Sequence, residues 1–221
     1  MNHLHMHSTA SAAKTTTAGR TISWGFAYDH LITLLTLNRE NVIRDATLHA
    51  AGIQPGNKVL DVGCGTGTLT LRARALVGQA GAVYGIDAAP QMIEVARRKA
   101  ARTRVDATFQ AGVIEALDFG DNTFDVVLSS LMMHHLPGDV KSRGLMEIRR
   151  VLKPGGTVLI ADFERPANLT GMVRWLHHDN TSDLQQLIPV IQQAGFDQIE
   201  TGQLPMRGLG YIRARRMASQ P

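Results

Sequence analysis

The spacing of apolar positions changes twice along the chain. From Ser23 to Gly52 the apolar residues Leu31, Leu34, Leu35, Val42, Ile43, Ala46 and Ala50 recur at three- and four-residue intervals, which predicts helix. An alternation of short apolar runs and amphipathic stretches follows. Lys58–Val62 reads as a first strand, leading into a helix over Leu69–Val77. Ala82–Ile86 is a second strand, and Pro90 opens the next helix at a first-turn position, where its missing N–H is harmless. Ala107–Gln110 is a short third strand. Phe124–Ser129 is a fourth, almost wholly apolar, and it precedes a helix over Val140–Leu152. Lys153–Gly156 reads as a turn before the strand Thr157–Phe163. Strands separated by helices predict an α/β fold whose parallel sheet is covered on both faces.

The final third departs from that rhythm. Asp183–Ala194 reads as a helix stopped by Gly195, and Phe196–Thr201 and Leu209–Ala214 read as two strands joined by a loop. So short a connection makes an antiparallel hairpin rather than a crossover. The sheet is therefore expected to finish in a reversed edge. Residues 1–20 are small, polar and without period, and read as a flexible tail. The remainder, 21–221, reads as a single domain: a helical cap over 21–52, a core over 53–165, and a helix with a strand hairpin over 166–221.

Composition narrows the class. At 221 residues and 44% apolar, the chain suffices for one well-packed core. No apolar run approaches the ~20 residues that cross a bilayer, and no secretory leader is recognisable. The single cysteine, Cys64, forms no internal disulfide, and the chain is expected to be cytoplasmic. The net charge of +4 is carried partly by Arg97, Arg98, Lys99, Arg102 and Arg104. No aromatic residues are interleaved with them, so a solvated helix face is expected rather than a nucleic-acid surface. Peripheral contact with a membrane stays open. His3, His5 and His7 alternate without a scaffold or a carboxylate partner, so no metal is expected.

Candidate chemistry concentrates where the first strand ends, in VLDVGCGTGTLTL. Glycines at alternate positions let a ligand lie on bare backbone, and a helix start follows. A pyrophosphate-binding loop would read G-x-G-x-x-G; here it is G-x-G-x-G with Asp61 just ahead. A carboxylate there would repel a pyrophosphate and suit a ligand bearing an amine. Asp87, closing the second strand, can accept hydrogen bonds from a ribose diol or cap the following helix. An amine at one end and a free ribose at the other describe S-adenosylmethionine better than a nicotinamide dinucleotide.

VLDVGCGTG, GIDAAPQMI, FDVVLSSLMMHHL and RVLKPGGTVLIADF occur in that order and spacing. Together they resemble the class I S-adenosylmethionine-dependent methyltransferases, particularly the ubiquinone/menaquinone-biosynthesis subgroup. The resemblance implies a Rossmann-like three-layer sandwich with a seven-stranded, mostly parallel sheet and an antiparallel last strand. It implies that Asp61, Gly63, Cys64, Gly65 and Gly67 surround the methionine portion of the cofactor, with Ser129 at its end. Asp87 would hold the ribose, with Ala88 and Met92 beside it, Met92 against the adenine, and Gly112, Val113 and Ile114 along the adenine edge. The family often places an acid where Val113 stands, so backbone groups alone would read the adenine here. Tyr28 would cap the cofactor, which leaves as S-adenosylhomocysteine.

His134 and His135 follow the fourth strand and are candidates for a general base or for positioning the substrate. Trp24, Phe26, Tyr28, Met132, Met133 and Trp175 are the expected apolar pocket walls. One cysteine argues against arsenic methylation, and Ser129–Met132 lacks the pattern of enzymes that methylate base amino groups. The expected acceptor is a small lipophilic or aromatic molecule, quinol- or phenol-like. The alternatives are an amine-bearing lipid or metabolite, and a cofactor-binding protein that transfers nothing.

Overall fold

The computed structural model describes residues 40–164 and 183–217. The expected tail, most of the helical cap, and with them Trp24, Phe26, Tyr28 and Trp175 lie outside the described residues.

Helix α1 (Glu40–Ala51) leads into β1 (Lys58–Val62), α2 (Thr68–Val77), β2 (Ala82–Asp87), α3 (Pro90–Thr103) and β3 (Thr108–Ala111). Next come β4 (Phe124–Ser130), a 3-10 turn over Met133–His135, α4 (Gly138–Val151) and β5 (Leu152–Phe163). The described chain closes with α5 (Leu187–Gln193), β6 (Phe196–Gln203) and β7 (Leu209–Arg216). One seven-stranded sheet runs in the order β3-β2-β1-β4-β5-β7-β6. The pairs among β1 to β5 are parallel, and β7 is antiparallel to both of its neighbours.

This arrangement corrects one expectation. The hairpin is antiparallel, but its reversed strand is not the edge. β7 inserts between β5 and β6, so β6 becomes the border and runs parallel to the rest. The reason lies in the side chains: Ile212 and Ala214 are fully buried, whereas β6 alternates with exposed positions. The more apolar strand takes the interior. The expected turn at Lys153–Gly156 is absorbed into β5 as an irregularity, where the register with β4 shifts between Phe124 and Val126.

Alternation along the strands divides the core in two. On one face Val59, Val83, Val126, Leu128 and Leu159 meet Leu48 and Ala51 of α1 and Leu69, Ala73 and Val77 of α2. Phe109 continues that face under α3 through Ile93, Ala96 and Ala100. On the other face Leu60, Val62, Ile86, Val127, Val158 and Ile160 pack under α4 and α5. These layers form the expected sandwich. Near the β3 side of this second face, Tyr84, Phe119 and Phe124 form an edge-on trio with centroids 5.0–5.9 Å apart, a geometry aromatic rings favour.

Two arginines fix the elements that border the site. Arg150 on α4 grips both oxygens of Glu147 and donates to the Leu117 and Phe119 carbonyls, each 2.8 Å away, tying down the loop after β3. Arg216 of β7 donates to the carbonyls of Arg149 and Arg150, which terminate α4. A cation at a helix C-terminus satisfies orphan carbonyls and opposes the dipole.

Candidate active site

The strand order reverses at β1, where the chain passes from β3 to β4. In open α/β sheets the crevice beyond such a switch point is the ligand site. The C-terminal ends of β1, β2, β4 and β5 deliver Asp61, Asp87, Ser129 and Asp162 to this edge of the sheet, and the 3-10 turn adds His134.

Gly63 and Gly67 adopt φ of 73° and 77°, left-handed values that carry little penalty only for glycine. A β-carbon on Gly63 would come within 2.4 Å of the Met132 side chain, and one on Gly67 within 2.7 Å of the Phe109 ring. Gly67→Ala should therefore lower the unfolding free energy by about 2–4 kcal/mol through strain and overpacking. Urea denaturation measures this, and an unchanged midpoint would contradict it. The loop is held by Asp87, whose Oδ2 accepts the Gly65 N–H and whose Oδ1 accepts the Ala89 N–H, both at 2.9 Å. One carboxylate thus joins the β1–α2 and β2–α3 loops. It is not the cap of α3, because Ala89 is.

Asp61 is almost wholly buried, and its Oδ2 accepts the Thr70 hydroxyl at 2.6 Å. Burial pushes its carboxyl up to about 6, Thr70 and Arg44 pull the other way, and the neighbouring Asp87 adds repulsion. Burial also raises Asp87, against the pull of its two N–H donors. Two adjacent carboxylates are thus short of positive charge. Ser129 Oγ is buried without a hydrogen-bond partner, a state that ordinarily calls for one. An acid pair, a bare loop and an orphan hydroxyl suit a ligand carrying an ammonium and a sugar diol, so these residues fit S-adenosylmethionine.

Other predicted positions fall differently. Cys64 turns its thiol toward the α3 cluster, where burial raises its pKa, and its backbone N–H is spent on the Ile86 carbonyl. Met92, Val113 and Ile114 are buried, and Ile114 lies where a β-carbon on Gly144 of α4 would come within 2.6 Å. Gly112 donates its N–H to the Asp87 carbonyl, and Ala88 is half-buried. Met133 is fully buried in the core and is no pocket wall, whereas Met132 is half-buried against Gly63. Consecutive residues of a tight turn point apart, and here only the first stays near the glycine loop.

The two histidines also separate. Asp162 on β5 is buried and receives His134 twice, from the backbone N–H at 3.0 Å and at ring Nδ1 at 2.7 Å. A carboxylate only accepts, so the contact puts a hydrogen on Nδ1, the tautomer whose neutral ring would have its lone pair on Nε2. His135 stacks its ring on His134 at 3.9 Å and donates its backbone N–H to the Met132 carbonyl. Lys141 on α4 is buried as well; burial lowers its ammonium below the ordinary value, and the Asp162 charge opposes that fall. Sequence reasoning missed this partnership. Its one signal was an acid set inside the apolar run TVLIADF.

Residues 59–156 match a family described as a methyltransferase domain. That segment resembles a methyltransferase domain. Likeness to individual relatives extends over more of the chain. The 2-phytyl-1,4-naphtoquinone methyltransferase of Trichormus variabilis is 35% identical over 144 residues, 64% of this chain and 62% of that protein. The ubiquinone/menaquinone biosynthesis C-methyltransferase of Pasteurella multocida is 36% identical over 141 residues, 63% of this chain and 52% of the relative. The resemblance to that subgroup therefore stands, although the chain spans only 52–62% of the length of these two relatives. A crystal structure of a SAM-dependent methyltransferase from Aquifex aeolicus superimposes with a TM-score of 0.71 at 21% identity, covering 85% of this chain and 97% of the other. At that identity the match shows the fold alone, and it is the expected one. No described helix is long and apolar enough to cross a membrane, and the described residues hold no cluster of three metal-ligating side chains.

Proposed function

We propose that this chain is an S-adenosylmethionine-dependent methyltransferase that acts on a small, lipophilic aromatic acceptor of quinol or phenol type. The observation that carries this reading is the Asp162–His134 pair at the same sheet edge as the Asp61 and Asp87 carboxylates. The names of the two relatives, which are naphthoquinone and ubiquinone/menaquinone methyltransferases, support the acceptor class.

When bound, S-adenosylmethionine supplies a methyl group activated by a sulfonium. Asp61 offers charge to the ammonium, Asp87 offers its carboxylate to the ribose, and Ser129 offers its unpartnered hydroxyl. His134 takes the acceptor's proton on Nε2, while Asp162 holds Nδ1–H and stabilises the imidazolium. With that donor bound, the residues would have two tasks, to align the acceptor's nucleophilic atom with the activated methyl group and to remove its proton, and alignment is worth ~7–11 kcal/mol in favourable cases.

The test is transfer of labelled methyl from S-adenosylmethionine to 1,4-naphthohydroquinone, with Asp87→Ala as control. Label should enter the organic phase, and the variant should bind the cofactor about 10- to 100-fold more weakly for loss of one charged acceptor. Cofactor binding without transfer to this or any extract-derived acceptor would favour the non-catalytic binder instead.

A further inference from the structure

The large apolar side chains exposed among the described residues are Val42, Leu76, Met146, Phe163 and Met217. Four of them sit on helices or near the chain's end. Phe163 is 40% exposed and closes β5 one residue after Asp162. Its ring meets His134 edge-on, with centroids 5.1 Å apart and planes at 73°. His135 lies against the other ring of that contact at 3.9 Å. Three aromatic rings are therefore contiguous at the sheet edge, and the carbocyclic one among them is open.

The backbone fixes this ring relative to the base. Asp162 Oδ1 accepts the Phe163 N–H at 2.8 Å and faces His134 Nδ1 at 2.7 Å. A single buried oxygen thus holds both the residue that presents the apolar ring and the residue that takes the proton. A flat molecule resting on Phe163 has its substituents in a set relation to His134. An exposed aromatic ring favours planar aromatic partners over aliphatic ones of equal size, because offset and edge-on ring contacts add to area burial.

We propose that Phe163 is the docking surface for the acceptor's aromatic ring and selects planar acceptors for the His134 base. This rests on the methyltransferase reading and deepens it by assigning the acceptor side of the site. Phe163 is a specificity-determining residue here, distinct from the groups that face the cofactor.

The experiment loads the full chain with S-adenosylhomocysteine and titrates 1,4-naphthoquinone by calorimetry, for wild type, Phe163→Leu and Phe163→Trp. Phe163→Leu keeps an apolar side chain of similar size but removes the ring. It is expected to weaken naphthoquinone binding about 3- to 10-fold, while Phe163→Trp retains it. Equal affinity in wild type and Phe163→Leu overturns the assignment, as does a wild type that binds S-adenosylhomocysteine but not naphthoquinone. A wild type that fails to bind S-adenosylhomocysteine at all sinks the methyltransferase reading itself, which separates the two failures. The S-adenosylhomocysteine titration of each variant also reports whether it has folded.

Discussion

Asp61→Asn should make the ligand-free protein more stable above pH 6 and, at the same time, weaken its hold on the cofactor. The folded carboxyl titrates near 6 against an ordinary value of 3.8, with burial the main cause. Between those two values the unfolded chain gives up its proton first, so stability falls as the pH rises through the window. Once both states are ionised the loss amounts to about 3 kcal/mol. Asparagine keeps an oxygen for the Thr70 hydroxyl and carries no charge to bury. Its amide hydrogens need acceptors of their own, which holds the expected gain to about 1–2 kcal/mol. Urea denaturation at pH 8 should show this gain, and at pH 5 most of it should vanish. The same change removes the charge offered to the ammonium, so affinity for S-adenosylmethionine should drop about 10- to 100-fold. In the wild type that affinity should climb as pH rises from 5 to 7 and Asp61 ionises. A stability change of equal size at both pH values would mean that ionisation of Asp61 is not its source.

The second large effect belongs to the base. His134→Gln should lower kcat about 10²- to 10⁴-fold, the usual worth of a positioned proton acceptor. Asp162→Asn should follow it closely. The aspartate accepts three N–H groups, two from His134 and one from Phe163, and an asparagine has one oxygen to share among them. With the amide oxygen turned to the His134 backbone N–H, the ring Nδ1–H and the Phe163 N–H lose their acceptor and the imidazole its orientation; turned the other way, it strands the backbone N–H, and each stranded donor costs about 1–3 kcal/mol. Base catalysis is separable from mere positioning by the choice of acceptor. A phenol acidic enough to be ionised at the assay pH needs no proton removed, so it should lose far less activity in His134→Gln. If weakly and strongly acidic phenols lose equal activity, His134 only positions the acceptor.

What could be read from the chain beforehand follows from the range of the interactions concerned. The glycine loop was legible because three glycines on alternate positions announce left-handed backbone locally. The layers were legible because period-2 and period-3.6 patterns are local too. The order of the last strands was not, since the placement of β7 depends on whether Ile212 and Ala214 outcompete β6 for the interior. The Asp162 partner of His134 was hidden for the same reason, because it lies 28 residues away on another strand. Met133 misled because it sits in a tight turn, where a one-residue step redirects the side chain from the site into the core.

The insertion of β7 also has a bearing on when the site can exist at all. β5 carries Asp162 and Phe163, and the pairing of Thr157–Phe163 with Leu209–Arg215 is what makes it an interior strand. During synthesis the glycine loop, Asp87 and the histidine turn emerge long before residue 209. The carboxylate that holds His134 therefore sits on a bare sheet edge until the hairpin arrives. Long-range pairing of that kind forms late and slowly, and an unpaired apolar strand is a template for association with other chains. Half of this site is ready early, and the other half waits for the last strands of the sheet.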